Sequence, residues 1–325
     1  MTIAHYNLLE DLGPGGLGDV HRARDTKVGR TVALKLVPAG IVADPAQRAA
    51  LTEDAQAAAL LSHPNITTLF DVGDAGDRVF LAYEFAAGRP LAEEMAGGPM
   101  NPRHALDIAV QVADAVSDAH ARGIIHTDLR PDTVIVTGKG SAKILDFGMA
   151  RWSRGGRLRA EAARNPDALP PEARRVLAYL SPEQAIDSAV DARTDIFSIA
   201  TIAYEMLTGR NPFLAPTAAD TVMHVIQGKV PPPSDANPAV PPELDAILLK
   251  ALARDLEQRE QSAAALAAEL RSVAAVLDVR TGDVADRSVL MPLDTSPDNP
   301  GFGLFAAAIG AAAGAAAAVW WYLSR

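Results

Sequence analysis

The first quarter of the chain alternates apolar and polar residues, whereas the later part repeats apolar residues at helical spacing. Residues 6–37 alternate between glycine-rich breaks, which predicts three short strands. The alanine-rich stretch 46–61 predicts a helix that ends at the Ser-His-Pro-Asn sequence of residues 62–65. Residues 66–85 predict two more strands, joined by a turn near residues 73–76.

Helical patterns dominate from residue 102 onward. They cover residues 102–122, 195–209, 217–227, 241–253 and 262–277. The polar stretch 278–300 predicts a linker, and the sequence shows no internal repeat. Because the strands come first and the helices follow, the sequence predicts an α+β fold with two lobes.

Composition narrows the class of protein. The 325 residues suffice for one large domain, or two smaller ones, with a buried core. The net charge of −10 argues against nucleic acid as a partner, since such a surface needs a basic face to neutralise phosphates. The absence of cysteine excludes disulfides and thiolate metal sites. The N-terminal residues lack the basic and apolar regions of a signal peptide.

A glycine-rich segment near the N-terminus carries the first chemical signal. Residues 13–20, Gly-Pro-Gly-Gly-Leu-Gly-Asp-Val, fit G-x-G-x-x-G-x-V, and glycines let backbone N–H groups approach a phosphate. A glycine-rich hairpin turn explains the same pattern, whereas a dinucleotide site needs a following helix and a strand-like stretch follows here. The apolar stretch 32–35, Val-Ala-Leu-Lys, ends in Lys35, which is costly to bury unless an anion meets it. Together the two motifs favour a nucleotide site.

Three later motifs follow in a recognisable order. Residues 126–133 are His-Thr-Asp-Leu-Arg-Pro-Asp-Thr, residues 146–148 are Asp-Phe-Gly, and residues 181–183 are Ser-Pro-Glu. Their order and spacing match the kinase signature set. Over residues 6–277 the chain therefore resembles the bacterial branch of the eukaryotic-type (Hanks-type) Ser/Thr protein kinases. The resemblance implies a two-lobed kinase domain, with an N-lobe at about 6–85 and a C-lobe at about 88–277, and structural roles for Glu183, Asp195 and Arg259.

The resemblance implies a role for each matching residue. Asp128 would accept the substrate hydroxyl proton, Lys35 would hold the α- and β-phosphates of ATP, and Asp146 would bind Mg²⁺, for which Mn²⁺ is an alternative. The backbone of the hinge, Glu84-Phe85-Ala86, would bond adenine, with Tyr83 behind it or simply in the core. The other residues implied at the ATP site are Gly13, Gly15, Gly18, Val20 and Ala33.

Departures from the family pattern leave the activity open. Thr133 stands where the family has an asparagine that ligates a second Mg²⁺; its hydroxyl is still an oxygen ligand, on a shorter stem. Arg130, a candidate catalytic residue, replaces the loop lysine and keeps its charge. The carboxylate expected to pair with Lys35 falls at Asp54, one methylene shorter than the family's glutamate. An inward shift of its helix would form the pair.

The activation segment, residues 149–180, departs from the family pattern as well. It holds seven arginines and three acids, and its only hydroxyl-bearing residues are Ser153 and Tyr179. Thr127 replaces the arginine that, in the family, contacts a phosphate on this segment, and Arg175-Val176 replace the usual Gly-Thr. We therefore expect no control by phosphorylation of the segment. Its basic run is either a solvated face or a site for an acidic substrate or partner.

The C-terminal residues predict a membrane anchor. Residues 299–324 contain no charge, and a helix of 302–323 spans about the 30 Å of a bilayer core. Trp320, Trp321 and Tyr322 suit a membrane interface, although a surface or packing helix is an alternative. An anchor at 301–323 implies a single-pass protein of the cell membrane whose kinase domain faces cytoplasmic ATP. Gly310 and Gly314 fit a helix-dimer motif, which makes a homodimer a candidate assembly.

Two functions remain open at this point. An active, membrane-anchored Ser/Thr kinase is favoured because Lys35, Asp128 and Asp146 are all present. A pseudokinase, a nucleotide-binding scaffold with little or no phosphotransfer, is favoured by Thr133, Arg130 and Val176, which crowd around Asp128. A membrane-tethered interaction module without nucleotide fits less well because the glycine loop is complete. The protein substrates are not identified by the sequence.

Overall fold

The computed structural model of the chain describes residues 1–170 and 172–281, and Met1–Leu277 forms one compact unit. The last described helix runs to Thr281, into the start of the predicted linker. The predicted anchor at 301–323, with its Gly310 and Gly314, lies outside the described residues and stays a prediction. Within the described part of the chain, none of the helices has both the length and the apolar character that a bilayer crossing requires.

A six-stranded antiparallel sheet forms the N-lobe. Its strands are β1 (Thr2–Ile3), β2 (Tyr6–Pro14), β3 (Asp19–Asp25), β4 (Thr31–Val37), β5 (Leu69–Ala75) and β6 (Arg78–Glu84). They lie in the order β1-β2-β3-β4-β6-β5. The three strands predicted over residues 6–37 are confirmed as β2 to β4, and the two predicted over residues 66–85 are confirmed as β5 and β6. Strand β1 was not predicted, because two residues carry no periodicity.

Strand β4 has two differently buried faces, as a central strand requires. Successive side chains point to opposite faces of a sheet. Val32 and Leu34 therefore pack with Phe80 in one apolar cluster, while Lys35 lies on the opposite face, towards the cleft between the lobes. The alternation that predicted the strand thus also places its lysine at the site.

One helix, α1 (Pro45–Ala58), covers the sheet and confirms the helix predicted at 46–61, with an earlier end. The Asp44 side chain accepts a hydrogen bond from the Ala46 N–H, and Pro45 occupies the first helical position, both of which favour a helix start. Leu51 and Ala55 are buried against the sheet. The burial of these small and branched residues fixes α1 next to the cleft.

The C-lobe is helical and carries a small sheet, β7 (Gly88–Pro90), β8 (Val134–Thr137) and β9 (Ala142–Ile144). Its long helices confirm the five predicted patterns. The helices are α2 (Leu91–Met95), α3 (Pro102–His120), α4 (Arg154–Arg164), α5 (Ala173–Leu177), α6 (Pro182–Ala185), α7 (Arg193–Thr208), α8 (Ala218–Gln227), α9 (Pro233–Ala236), α10 (Glu243–Ala251) and α11 (Ala263–Thr281). Helix α4 was not predicted, and it lies in the activation segment.

Helix α7 is buried along most of its length and holds the loop that carries Asp128. The Asp195 carboxylate, fully buried in its first turn, accepts the backbone N–H groups of His126 and Thr127, both at 2.8 Å. It also lies 2.8 Å from the His120 ring at the end of α3. The C-lobe core thereby positions the catalytic loop.

Candidate active site

The two lobes enclose a cavity of about 590 Å³ that brings most of the candidate residues together. Its apolar walls come from both lobes, and its polar end contains Lys35, Arg130 and Asp146. Residues of the activation segment, Arg154, Gly155 and Leu158, close the polar end. The apolar wall residues are Leu12, Val20, Ala33, Ile135 and Leu145. A cavity with apolar walls and charged groups at one end suits a nucleotide.

The glycine segment is the tip of the β2–β3 hairpin, folded over the cleft. Gly13 and Gly18 shape the turn, with φ of 85° and 137°. A Cβ on Gly18 would stand 2.1 Å from the Leu36 carbonyl oxygen, so only glycine fits there. Gly15 and Gly16 line the cavity. The glycine-rich segment is therefore a hairpin turn and, at the same time, part of the cavity wall, so the two interpretations of its sequence are compatible.

Lys35 pairs with Asp146 in this conformation and not with Asp54. Its ammonium lies 2.6 Å from Asp146 Oδ1, and both side chains are buried. The expected Asp54–Lys35 pair is not formed, which corrects the assignment of Asp54 to the ATP site. Asp54 instead accepts a hydrogen bond from Trp152 Nε1 at 2.7 Å and pairs with Arg151. Two donors on the activation segment thus hold the shorter carboxylate away from the cleft.

Two residues of the site have left-handed backbone conformations that side chains disfavour. Thr127 has a φ of 59° and Asp146 a φ of 57°. Such strain persists only where the surroundings impose it, and it is concentrated at functional sites. Here the imposed contacts include the Asp195 bond to the Thr127 N–H and the Lys35 bond to Asp146.

Arg130 bridges two carboxylates of the catalytic loop. Its Nε donates to Asp128 Oδ1 at 3.3 Å, and its Nη1 donates to Asp132 at 2.7 Å. Burial opposes the charge, but Asp128 and Asp132 outweigh it and raise the pKa of the guanidinium. Arg130 therefore stays charged beside the carboxylate that would receive the substrate proton.

The Thr133 hydroxyl is turned into the backbone of the catalytic loop. It accepts the Arg130 N–H at 3.1 Å and lies 2.9 Å from the Arg130 carbonyl and 3.3 Å from that of Asp128. The threonine is buried. These bonds use the hydroxyl proton and one of its two lone pairs, so Thr133 braces the loop. Thr133 also lines the cavity, as Asp146 does, and its role as a metal ligand stays a prediction.

The three hinge residues, Glu84, Phe85 and Ala86, all line the cavity. The Glu84 carboxylate bonds Lys143 at 2.6 Å and the Thr68 N–H at 3.3 Å, while Ala86 lines the cavity. Behind it, Tyr83 is buried with Lys35 5.1 Å from its ring centre. Burial, with the nearby Asp146 charge, raises the pKa of the Tyr83 phenol well above its usual value.

The activation segment occupies the mouth of the catalytic loop, which sequence analysis missed. Ser153 caps helix α4, and its hydroxyl donates to Asp128 Oδ2 at 2.8 Å. A Cβ on Gly155 would lie 2.2 Å from Asp128 Oδ1, so this residue abuts the carboxylate through its backbone. The Arg154 N–H donates to the Gly16 carbonyl at 2.7 Å, which joins the segment to the glycine loop. Ser153 and the glycines after it were the available sequence signal, a helix N-cap with room for close approach.

The residues present fit ATP and a divalent ion. The apolar walls suit a purine ring. A Cβ on Gly16 would lie 3.7 Å from Asp146 Oδ2, so this carboxylate oxygen lies close to the glycine-rich segment. Within residues 1–170 and 172–281, no three His, Asp or Glu side chains group into a metal site. Mg²⁺ is commonly bound by one or two carboxylates together with substrate phosphates, so Asp146 suffices with a nucleotide.

Comparison with known proteins agrees with this geometry. The protein kinase domain family matches residues 6–270. The chain is 37% identical over 273 residues to serine/threonine-protein kinase PknB of Mycolicibacterium smegmatis, covering 82% of this chain and 42% of that protein. It is 31% identical over 268 residues to serine/threonine-protein kinase PrkC of Bacillus subtilis, covering 82% and 40%. The chain thus spans about two fifths of the length of these curated relatives.

Solved structures show the same fold. The crystal structure of the Mycobacterium tuberculosis PknI kinase domain superposes with a TM-score of 0.66 at 25% identity, over 85% of this chain and 98% of that one. The family match covers both lobes and every motif that lines the cleft.

Proposed function

Since the chain belongs to the protein kinase family, in its bacterial Hanks-type Ser/Thr branch, we propose that it transfers the γ-phosphoryl group of ATP to Ser or Thr hydroxyls of proteins. One observation carries the proposal. Lys35 and Asp146 pair with each other at the polar end of one cavity, and Asp128 lies beside it, where it contacts Arg130 and Ser153. Groups fixed in this way are what phosphoryl transfer needs, because its catalysis is largely positioning and electrostatic stabilisation.

Each of these side chains has a task that its surroundings suit. Asp128 receives the proton of the attacking hydroxyl, within hydrogen-bond reach. Lys35 draws phosphate oxygens to the glycine loop, and Asp146 offers a carboxylate oxygen to the metal ion. Arg130 adds positive charge beside Asp128. When bound, the metal ion neutralises charge that develops on the transferred group. The hinge backbone at Glu84 and Ala86 orients the purine.

A pseudokinase remains a second candidate, and a specific observation favours it. The Thr133 hydroxyl already bonds the loop backbone, which leaves a single lone pair for the second metal ion of the family pattern. A chain that holds nucleotide without fast transfer would serve as a nucleotide-responsive scaffold. Binding and transfer must therefore be measured separately.

The test uses the full chain in two assays. The first measures thermal unfolding with and without Mg-ATP, where a ligand at 100 times its Kd stabilises by about 2.7 kcal/mol. The second measures transfer of labelled phosphate to a general basic protein, with Mg²⁺ and with Mn²⁺. We expect a thermal shift that Lys35→Met abolishes and transfer that Asp128→Asn abolishes. A shift without transfer supports the scaffold, and the absence of both contradicts nucleotide function.

We also propose that residues 301–323 anchor the chain in the cell membrane, with residues 6–277 in the cytoplasm. Support comes from the charge-free stretch and its aromatic end. Deleting residues 301–325 should move the protein to the soluble fraction. Ile309→Arg should do much the same, since a central charge costs about 2.5–3.5 kcal/mol on the insertion scale. Ile309→Leu is the matched control. Full-length protein that alkaline carbonate washes from membranes would contradict the anchor.

A further inference from the structure

The activation segment places an arginine at the polar end of the cavity. Arg154 is the first residue of helix α4, and it lines the cavity together with Gly16, Lys35 and Asp146. Its backbone N–H donates to the Gly16 carbonyl at 2.7 Å, which ties it to the glycine loop. Arg154 therefore stands beside the groups that would hold the phosphates of ATP, although it lies outside the motifs that define the ATP site.

Arg154 differs from Lys35 and Arg130, the other two cations of the polar end, in having no anionic partner. Lys35 pairs with Asp146, and Arg130 pairs with Asp128. Among the residues that the structure describes, Arg154 forms no ion pair, and its side chain makes no hydrogen bond. Its guanidinium is thus available to a ligand, and the planar fork of an arginine matches the oxygens of a phosphate.

The surroundings of Arg154 carry positive charge that an anion would offset. Burial, together with the neighbouring Arg154 charge, lowers the pKa of Arg157. Two like charges in one turn of a helix repel each other, and the repulsion is stronger where water is partly excluded. The phosphates of a nucleotide bring several negative charges to this end of the cavity. Their arrival would turn a repulsive arrangement of arginines into an attractive one.

We propose that Arg154 is a nucleotide-binding residue supplied by the docked activation segment, and that its guanidinium contacts the β- and γ-phosphates of ATP; the inference rests on the proposed binding of ATP. The contact belongs to the docked conformation, because the Gly16 bond of Arg154 and the Asp128 bond of Ser153 hold the start of α4 at the cavity. Nucleotide binding and docking of the segment therefore favour each other by the same factor.

Calorimetric titration of the full chain measures the contact. The probes are the β,γ-imido analogue of ATP, which cannot be hydrolysed at that bond, and AMP, each with Mg²⁺. We expect Arg154→Gln to raise the Kd for the ATP analogue roughly five- to tenfold, because a charge-assisted contact that is partly open to water falls at the lower end of its range. The Kd for AMP should not change. Arg154→Lys keeps the charge without the fork and should recover part of the affinity.

Arg164→Gln is the matched control. Arg164 ends the same helix and is exposed, as Arg154 is, but it does not line the cavity. Removal of its charge should leave both Kd values unchanged. An equal loss of affinity in the two glutamine variants would reduce the effect to net charge and overturn the assignment to Arg154. An equal rise in Kd for AMP and for the ATP analogue would overturn the contact with the outer phosphates.

The coupling to the activation segment has its own readout. Trypsin cuts the arginines of residues 151–164 more readily when the segment is released, and each variant is compared with itself, with and without the ATP analogue. Saturating analogue should slow the cleavage in the native chain and in Arg164→Gln by the factor that Arg154→Gln loses in affinity, roughly five- to tenfold. It should slow cleavage far less in Arg154→Gln. Equal protection in all three proteins would overturn the coupling.

The outcomes separate this inference from the proposed function. A native chain that binds the ATP analogue no more tightly than Arg154→Gln does would overturn the inference and leave nucleotide binding standing. A native chain that binds neither probe would overturn both. Because Arg154 is exposed, Arg154→Gln should unfold at the native temperature when no nucleotide is present, and the conservative Arg154→Lys tests the contact if it does not.

Discussion

Gly155 decides at the residue scale whether the activation segment can lie against Asp128. A Cβ there would stand 2.2 Å from the Asp128 carboxylate, so Gly155→Ala should expel the segment from the site. Overpacking of this kind costs about 1–3 kcal/mol, which corresponds to roughly 5–150-fold in population. We expect faster tryptic cleavage of residues 151–164 and a higher initial rate of transfer. Gly97→Ala is the control, because its Cβ would meet no neighbour within 4 Å. An unchanged cleavage rate would show that the contact is not restrictive.

We expect Thr133 to limit the rate of phosphate transfer. Thr133→Asn should raise kcat, because an asparagine carbonyl reaches further into the cleft than a hydroxyl held by the Arg130 backbone. Thr133→Val is the control that removes the brace without adding a ligand, and it should lower thermal stability without raising kcat. The measurement is kcat as a function of Mg²⁺ concentration. A lower kcat in Thr133→Asn would mean that the brace matters more than the metal.

Sequence alone identified these positions but not their orientation. Motif spacing predicted one site for Lys35, Asp128 and Asp146. Lys35 and Asp146 line the cavity, and Asp128 lies beside two lining residues, Arg130 and Gly155. The direction of the Thr133 hydroxyl depends on bonds within a three-residue turn, Pro131–Thr133, that no pattern encodes. Ser153 was noted only as one of two hydroxyl-bearing residues in a basic segment, since its contact with Asp128 joins positions 25 residues apart.

At the scale of elements, strand β4 and the activation segment are alternative partners for Asp54 of helix α1, through Lys35 and through Trp152. Asp54 accepts a hydrogen bond from Trp152 Nε1. Hydrogen bonds to charged groups contribute about 1.5–3 kcal/mol, and less where the carboxylate is partly exposed, as it is here. Trp152→Phe keeps the ring and removes the donor. We expect α1 to move inward, Asp54 to meet Lys35, and the initial rate of phosphate transfer to rise several-fold. The double variant Trp152→Phe/Asp54→Ala should lose that gain. A rate that falls in the single variant would contradict the competition.

Elements with regular burial were predictable, and helix α4 was not. The strands β2 to β6 and the long C-lobe helices bury one face or both, so their patterns repeat. Residues 154–164 have two glycines in their first turn, Gly155 and Gly156, which favour coil. The helix forms because Ser153 caps it and because Gly155, Gly156 and Ala162 pack closely on the C-lobe. The packing contacts are tertiary, so they produce no periodic pattern in the sequence.

At the scale of the whole molecule, one buried ion pair ties the end of the activation segment to the last part of the C-lobe. Arg259 donates to both oxygens of Glu183, at 2.8 and 3.0 Å, and Thr194 donates to the same carboxylate at 2.7 Å. Burial works against the charged form, but these donors outweigh it and lower the pKa of Glu183. The pair spans 76 positions of sequence and fixes the floor beneath the catalytic loop.

The lowered pKa gives a prediction with a defined sign. A carboxylate whose pKa is lower in the folded state stabilises the fold above its unfolded pKa, and that stability is lost as the pH falls through the folded pKa. Glu183→Gln should therefore lower the free energy of unfolding at pH 7 by about 3–5 kcal/mol, as removing one partner of a buried pair does. The difference from the native protein should shrink in acid.

Urea unfolding at a series of pH values measures this effect. Glu257→Gln is the matched control, since Glu257 also pairs with an arginine but has a side chain that is 85% exposed. It should change the unfolding free energy by no more than about 1 kcal/mol. A constant difference between Glu183→Gln and the native protein at all pH values would contradict the assignment of the charge to Glu183.

The cleft of this protein has walls that exist only while the activation segment is docked. Arg154, Gly155 and Leu158 line the same cavity as Leu12 and Ala86. An inhibitor that spans the purine slot and touches Leu158 would bind this conformation and no open one. Such a compound would distinguish the chain from kinases whose segments lie elsewhere, and its affinity would report the fraction of molecules that are closed. Its selectivity would then come from the closed conformation of the activation segment, which inhibitors designed against open kinases do not contact.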